Sequence, residues 1–182
     1  MPSYQQFASA PVPRQKGMTL IEGLSVVSII ALSLTIAAPA VHDLSQRWGH
    51  TTTEMNLQAF LRQSRAAAVS SLRDVVVCGV SEGDHCKPDG EWHQGVMSFV
   101  DNNENHRRDS GDELVRVFAP RAGNIRSAKE SLLYNALGGG DMGRLEVCTN
   151  LSSGYSLSSI YISLSGRSRV SNNRFASGRC PG

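Results

Sequence analysis

The chain has 182 residues and is almost balanced in charge, with 18 Lys and Arg side chains against 16 Asp and Glu. The formal net charge of +2 equals the contribution of Arg14 and Lys16 near the start, so the rest is close to neutral. This balance excludes a globally basic protein, and any cationic function has to be local. The length leaves room for one compact domain beside a long apolar helix.

The first predicted element is an apolar segment from Gly17 to Val41, in which the nineteen residues from Gly23 onward carry no charge. At about 1.5 Å per residue, this run makes roughly 30 Å of helix, which matches the hydrocarbon core of a bilayer. Arg14 and Lys16 precede it and predict a cytoplasmic N-terminus. No A-x-A cleavage site follows the run, which argues against an ordinary cleaved secretory signal.

Glu22 is the one acidic residue in this segment. A carboxylate among apolar residues of a membrane helix is a functional candidate unless it merely snorkels to the interface. The string Gly17-Met18-Thr19-Leu20-Ile21-Glu22 resembles the prepilin-peptidase site of type IV pilins and type II secretion pseudopilins. The resemblance implies that prepilin peptidase removes residues 1–17 as a leader and that Met18 becomes the methylated first residue. It also implies that Glu22 pairs with the amino terminus of a neighbouring subunit during filament assembly.

Pro39 stands where pilins of this type carry a helix-interrupting proline, and it predicts a local kink or melting. We therefore expect a transmembrane and assembly helix over residues 18–44 and a globular domain over residues 45–182. The implied location is a single-pass inner-membrane anchor before assembly. Afterwards it is the periplasm and the cell-surface pilus of a Gram-negative bacterium, with other pilins as partners.

Helical spacing of apolar residues continues to the end of a second, amphipathic half of the helix, and the expected core face comprises Leu57, Leu61, Ala68 and Leu72. Short apolar or β-branched runs then predict strands near residues 75–80, 92–100, 114–118, 132–136, 144–148 and 160–164. Trp92, Val96 and Phe99 are expected to pack inside, and Gly138–Gly140 mark a turn. A helix followed only by strands predicts an α+β fold with an antiparallel sheet.

Four cysteines, all beyond the apolar segment, should lie in an oxidising compartment and form disulfides. Three pairings are possible. We favour Cys78–Cys86, which closes a short loop, and Cys148–Cys180, which ties the tail to a strand. No C-x-x-C or H-x3-H spacing supports zinc as the alternative.

The polar stretch at residues 101–113 places Asp101, Asn103, Asn105 and Asp112 near the spacing of a calcium loop. His106 stands where that loop needs glycine, so a solvated turn is the preferred interpretation and no metal or cofactor is predicted. The spaced residues Trp92, Gly95, Phe99, Asp101 and Asn103 before this turn are similar to the GspH/FimT-like group of minor pilins and pseudopilins. With the N-terminal motif, the resemblance spans most of residues 17–180 and implies the type IV pilin fold.

No acidic residue follows Glu146, whereas the last sixteen residues to Cys180 hold four arginines: Arg167, Arg169, Arg174 and Arg179. The arginine guanidinium suits phosphate oxygens, and small neighbours let a nucleic-acid backbone come close. Arg167 and Arg169 are two apart, so an extended segment would project them from one face. A solubilising basic loop over residues 165–180 is the alternative.

Gly166-Arg167-Ser168-Arg169 also resembles the G-R-x-R motif of the DNA-binding FimT-like minor pilins of naturally competent bacteria. The resemblance implies non-specific binding of extracellular double-stranded DNA for uptake. Arg126 and Lys129 are candidates to widen the patch.

No enzyme motif is legible: no Ser lies in G-x-S-x-G, and Gly138–Gly140 lack the Lys-Ser/Thr of a P-loop. The five histidines are expected to be isolated surface residues. A structural minor pilin or secretion pseudopilin that starts or caps a filament is the alternative function. An adhesive tip subunit, whose tail meets a protein or glycan, is a third.

Overall fold

The structure, a computed structural model, describes residues 17–81, 85–87 and 89–180, without the side chains of residues 36, 39 and 172–174. The predicted leader up to residue 16 therefore lies outside the described residues. The chain divides into two compact units that meet between Ala38 and Pro39.

One helix, α1, spans Leu20–Ser71. The secondary structure stays helical through Pro39. The helix ends because Leu72 adopts a left-handed conformation, with φ 54°, and the Arg73 N–H donates to the Ala68 carbonyl. This turn leaves Leu72 76% exposed, so its predicted place in the core is wrong.

A membrane span is not assigned to any single helix in the part of the chain that the structure describes. By length and composition, the segments Leu20–Thr35 and Ala40–Ser71 could cross a membrane only when they are taken together.

Eight strands follow the helix: β1 Val75–Gly79, β2 Val96–Val100, β3 Glu113–Phe118, β4 Asn124–Ser127, β5 Ser131–Tyr134, β6 Gly143–Leu151, β7 Gly154–Ile162 and β8 Ser168–Ala176. They form two four-stranded sheets rather than the single sheet expected. Sheet I has the order β3-β2-β1-β5 and sheet II the order β4-β6-β7-β8. The strand pairs are antiparallel throughout, with two register shifts.

The main core lies where the second half of α1 meets both sheets. Leu57, Phe60, Leu61 and Ala68 of α1 are fully buried, at the i, i+3, i+4 and i+11 spacing of one helix face. The sheets contribute the buried residues Val75, Val77, Val96, Ile125, Leu132, Leu145, Val147, Ile160 and Ile162. One continuous apolar core therefore joins the helix to both sheets.

Sheet I also has a small core on its other face, where Val76, Cys78, Met97 and Phe99 pack together. The disulfide Cys78–Cys86 borders this cluster. Both faces of β1 are buried, and its sequence is accordingly a continuous apolar run rich in β-branched residues.

Two of the strands were not predicted. Asn124–Ser127 is short, and Ser168–Ala176 falls in the segment expected to be a loop over residues 165–180. Ser, Asn and Arg have low strand propensity, so β8 depends on the free edge of β7, along which it pairs Ile160 with Val170 and Tyr161 with Arg169. The predicted basic loop is thus a turn, an edge strand and a short tail. The strand predicted from Trp92 begins only at Val96, although Trp92, Val96 and Phe99 are all buried as expected.

Candidate functional site

The turn between β7 and β8 carries the Gly-Arg-Ser-Arg string. The Gly166 N–H donates to the Ser163 carbonyl at 2.8 Å, and the Ser163 N–H donates to the Arg167 carbonyl at 3.0 Å. Gly166 has φ +72°, which is the left-handed position that follows the tight turn of a three-residue hairpin loop. The backbone of the turn therefore selects glycine here, independently of any ligand.

A glycine loop, Gly138–Gly140, packs against this turn. The Gly140 N–H donates to the Leu164 carbonyl at 3.0 Å, and a Cβ on Gly166 would lie only 2.2 Å from the Gly138 carbonyl oxygen. Arg65 of α1 completes the support, since its Nε donates to that same Gly138 carbonyl at 2.7 Å. The helix, the glycine loop and the turn therefore make one contiguous unit.

Tyr134 is buried next to the glycine loop and forms an antiparallel β-bridge with Gly140. Burial raises the pKa of Tyr134 to about 12, and the nearby positive charge of Arg65 acts in the opposite direction. The phenol is therefore neutral at physiological pH and adds no negative charge beside the turn.

Arg167 and Arg169 are both exposed, and neither makes an ion pair within the part of the chain that the structure describes. Arg169 lies across from Tyr161, which is 45% exposed, on the face of sheet II that points away from the core. Arg167 precedes β8 and lines a groove beside α1. Residues two apart project from the same face only when both lie in one strand. Because Arg167 lies before β8 and Arg169 within it, the two arginines lie on neighbouring surfaces and not on one strand face.

Arg174 and Arg179 are not brought to the turn. Arg174 pairs through its backbone with Leu157, and its side chain lies outside the described part of the structure. Arg179 is exposed beyond the far end of β8, next to Cys180. Nine strand residues span about 30 Å, so the backbone places Arg179 about that far from Arg167.

The Cys148–Cys180 disulfide fixes that far end. Nearby, the Cys180 N–H donates to Asn150 Oδ1 at 2.9 Å. On the chain-entropy model, a loop with a sequence separation of 32 gives about 3–4 kcal/mol of stabilisation. The segment after β8 is thereby held against β6 as part of the domain.

The two cations expected to widen the patch are both paired with carboxylates. Arg126 Nε lies 2.9 Å from Glu91 Oε1, and Lys129 Nζ lies 3.6 Å from Asp141 Oδ2. Their charge is therefore partly neutralised locally. This result argues against using them to extend the site.

Two arginines of α1 that the sequence did not mark as site residues also lie beside the turn. Arg62 and Arg65 of α1 line the same groove as Arg167. Their i, i+3 spacing puts them on one helix face, which was the available signal. The sequence did not indicate which turn between strands this helix face would contact.

The polar stretch at residues 101–113 forms a turn closed by its own carboxylates. Asp101 accepts the backbone N–H groups of Asn105 and His106, and Asp112 accepts those of Asn102 and Asp109. Hydrogen bonds from the Gly111 N–H and then from the Asn103 amide hold the pKa of Asp109 below its usual 3.8. These carboxylates already satisfy backbone donors, as in the preferred interpretation of a solvated turn.

One histidine departs from the surface location expected. His50 is 1% exposed between α1 and sheet II, where its Nδ1 lies 3.0 Å from Thr149 Oγ1 and its Nε2 lies 2.8 Å from Ser158 Oγ. Ser158 in turn donates to Glu54 of α1 at 2.6 Å. This polar network joins the helix to sheet II, so its geometry is explained by packing.

At the start of α1, Thr19 and Glu22 form a reciprocal capping box. The Glu22 N–H donates to Thr19 Oγ1 at 3.3 Å, and the Thr19 N–H donates to Glu22 Oε2 at 3.4 Å. Gly17 and Met18 precede this cap and are exposed. Glu22 therefore has a local role in starting the helix, besides any role between subunits.

Comparison with known proteins places the chain in a family. The family model described as Type II transport protein GspH matches residues 55–166, which is more than half of the chain. The chain belongs to the GspH family. This membership supports the predicted minor pilin or pseudopilin.

Two solved structures of the type IV minor pilin FimU from Pseudomonas aeruginosa (strain PAO1) resemble this one. The crystal form in space group P21 has a TM-score of 0.52 and 20% identity, over 71% of this chain and 92% of FimU. The form in P65 has a TM-score of 0.49 and 19% identity, over 67% and 92%. The P21 likeness confirms the predicted α+β pilin fold. No curated protein matches this chain by sequence.

Proposed function

We propose that this GspH-family chain is a minor type IV pilin that binds extracellular double-stranded DNA for uptake in natural transformation. The observation that carries the proposal is the pair of exposed arginines: Arg167 on the turn fixed by Gly166, and Arg169 at the start of β8. Neither makes an ion pair among the described residues, so both guanidinium groups remain available for phosphate oxygens. Gly166 and Arg167 lie at the turn, and the proposed DNA-binding residues also include Arg174, within β8, and Arg179, beyond it.

The binding is electrostatic and independent of sequence. Arginine contacts to phosphates release counterions, so each contact contributes about −0.9 to the slope of log K against log salt. Two phosphate contacts give a slope near −2, and the expected affinity of one subunit at physiological salt is micromolar or weaker. Several copies along a filament would raise the effective affinity through avidity.

The anchoring and processing of the chain are further parts of the proposal. Most of the large apolar side chains between Met18 and Leu44 are exposed, which suits a membrane or filament environment. The hydroxyl groups of Ser25, Ser28 and Ser33 donate to carbonyls of the preceding turn, which lowers the cost of placing them in lipid.

In that setting, prepilin peptidase cleaves after Gly17, Met18 is methylated, and Glu22 pairs with the amino terminus of a neighbouring pilin. The chain is then a single-pass inner-membrane protein with a cytoplasmic N-terminus before it enters the pilus.

The family model itself favours a second candidate. GspH is described as a type II transport protein, so a secretion pseudopilin that starts or caps a filament without binding DNA fits the same fold. In that case the arginines of β8 serve only as charges on an exposed strand.

The test compares two charge-matched double variants of the full-length protein in detergent. Arg167→Gln with Arg169→Gln removes two charges from the turn. Arg73→Gln with Arg121→Gln removes two exposed charges elsewhere. Binding to a labelled DNA duplex is followed by fluorescence anisotropy over a salt series.

We expect the turn variant to lose binding and to lower the magnitude of the salt slope by about 1.8. The control variant should stay close to wild type. Wild-type protein without salt-dependent DNA binding would refute the DNA proposal, as would a turn variant that behaves like the control.

A further inference from the structure

A groove lies between the last turns of α1 and the β7–β8 turn. We call it the helix–turn groove, and its lining includes Arg62, Arg65, Ala66, Val69, Gly166 and Arg167. Its volume is about 670 Å³. Three of its lining residues are arginines and none is acidic, so the groove is complementary to an anion.

The arginines of this groove are positioned to different degrees. Arg65 is held by its hydrogen bond to the Gly138 carbonyl, and its side chain passes close to Gly166. A guanidinium that is already fixed loses little conformational entropy when it binds an anion. Arg62 lies one turn earlier on α1, is exposed, and has no hydrogen bond or ion pair to a described residue.

The remaining walls of the groove are apolar or small. Ala66 and the 46% exposed Val69 lie on the same stretch of helix as the two arginines. A simple inorganic anion gains nothing from such walls. A phosphodiester carries a deoxyribose on each side, whose carbon atoms can bury this apolar surface.

We propose that the helix–turn groove binds a phosphodiester of the DNA backbone between Arg62, Arg65 and Arg167, with the neighbouring sugar against Ala66 and Val69. This inference rests on the proposed function, because it names helix residues as a second half of the same DNA site. The turn then contacts the DNA backbone from one side, and α1 contacts it from the other. The site is thereby larger than the Gly-Arg-Ser-Arg string that marks it in the sequence.

The test uses Arg62→Gln, because Arg62 is exposed and does not hold the glycine loop as Arg65 does. Arg121→Gln is its matched control, since Arg121 is also exposed and its neighbour Ala122 contacts α1 near Gly49. Thirteen helix residues separate Gly49 from Arg62, which is about 20 Å. Both variants are measured as full-length protein with the same labelled duplex and salt series, beside Arg167→Gln.

Arg62→Gln should weaken DNA binding about tenfold at low salt. Because Arg65 and Arg167 still neutralise the shared phosphate, the salt slope should stay close to that of wild type. Arg121→Gln should change neither. Because Arg62 and Arg167 contact one phosphate, the variant that lacks both should lose less than the product of the two single losses.

The outcomes separate the two claims. If Arg167→Gln weakens binding while Arg62→Gln matches Arg121→Gln, the groove is wrong and the proposed function stands. If the losses from Arg62→Gln and Arg167→Gln multiply independently, the shared phosphate is wrong. If wild-type protein shows no salt-dependent binding, the proposed function fails and the groove fails with it.

Discussion

Replacing Gly166 with alanine tests how firmly the candidate site is held. At φ +72°, an L residue costs about 1–2 kcal/mol more than glycine. The new Cβ would lie 2.2 Å from the Gly138 carbonyl oxygen and 2.8 Å from Arg65 Nε, so the turn must move away from its support. That movement weakens the hydrogen bond between Gly140 and Leu164, which is worth about 1 kcal/mol. We expect a total loss of about 2–4 kcal/mol in the free energy of unfolding.

The matched control is Gly178→Ala. Gly178 also has a positive φ, +107°, but a Cβ there meets nothing within 4 Å. It therefore reports the backbone cost without the steric cost. Urea unfolding of the full-length protein in detergent, followed by the fluorescence of the buried Trp92, gives both free energies. If Gly166→Ala costs no more than Gly178→Ala, the glycine loop does not support the turn.

Two further predictions concern residues outside the candidate site. His50→Ala should lower the free energy of unfolding by about 2–4 kcal/mol, because it empties a buried site and removes the hydrogen bonds to Thr149 and Ser158. The exposed His93→Ala should cost less than about 1 kcal/mol, and equal losses in urea unfolding would contradict the network. The depressed pKa of Asp109 stabilises its turn above the usual value of 3.8, and this contribution is lost as the pH falls through the lower folded value. Hydrogen exchange at Gly111 should accelerate below that pH in wild type and show no such step in Asp109→Asn.

Local pattern predicted much of the architecture. The helix, six of the eight strands and the buried Trp92 follow from periodicity and β-branched runs, because these features depend on neighbours in the chain. Leu72 fits the helical period equally well, yet it lies outside the core because the backbone turns at Leu72 itself. Periodicity alone does not place the end of a helix.

The candidate site was only half visible in the sequence. Arg167 and Arg169 stand out because no acidic residue accompanies them near the C-terminus. Arg62 and Arg65 do not, since charged residues on the outer face of an amphipathic helix are ordinary. Their place beside the turn depends on how β7 and β8 pair and on how sheet II meets α1. The same long-range pairing turned a predicted loop into β8 and buried His50.

The position of β8 gives the competing explanation its physical basis. β8 is an edge strand of sheet II, and exposed edges are commonly protected from pairing with other chains by charged side chains. This explanation accounts for Arg169, which lies within the strand, without any nucleic acid. It does not account for Arg167, which precedes the strand, or for Arg62, which is on the helix. Edge protection also gives no reason for three arginines to share a groove with apolar walls and no acidic residue. The effect of removing Arg62 and Arg167 on DNA binding therefore distinguishes a scaffold pilin from a DNA-binding one, because these two charges lie off the strand edge.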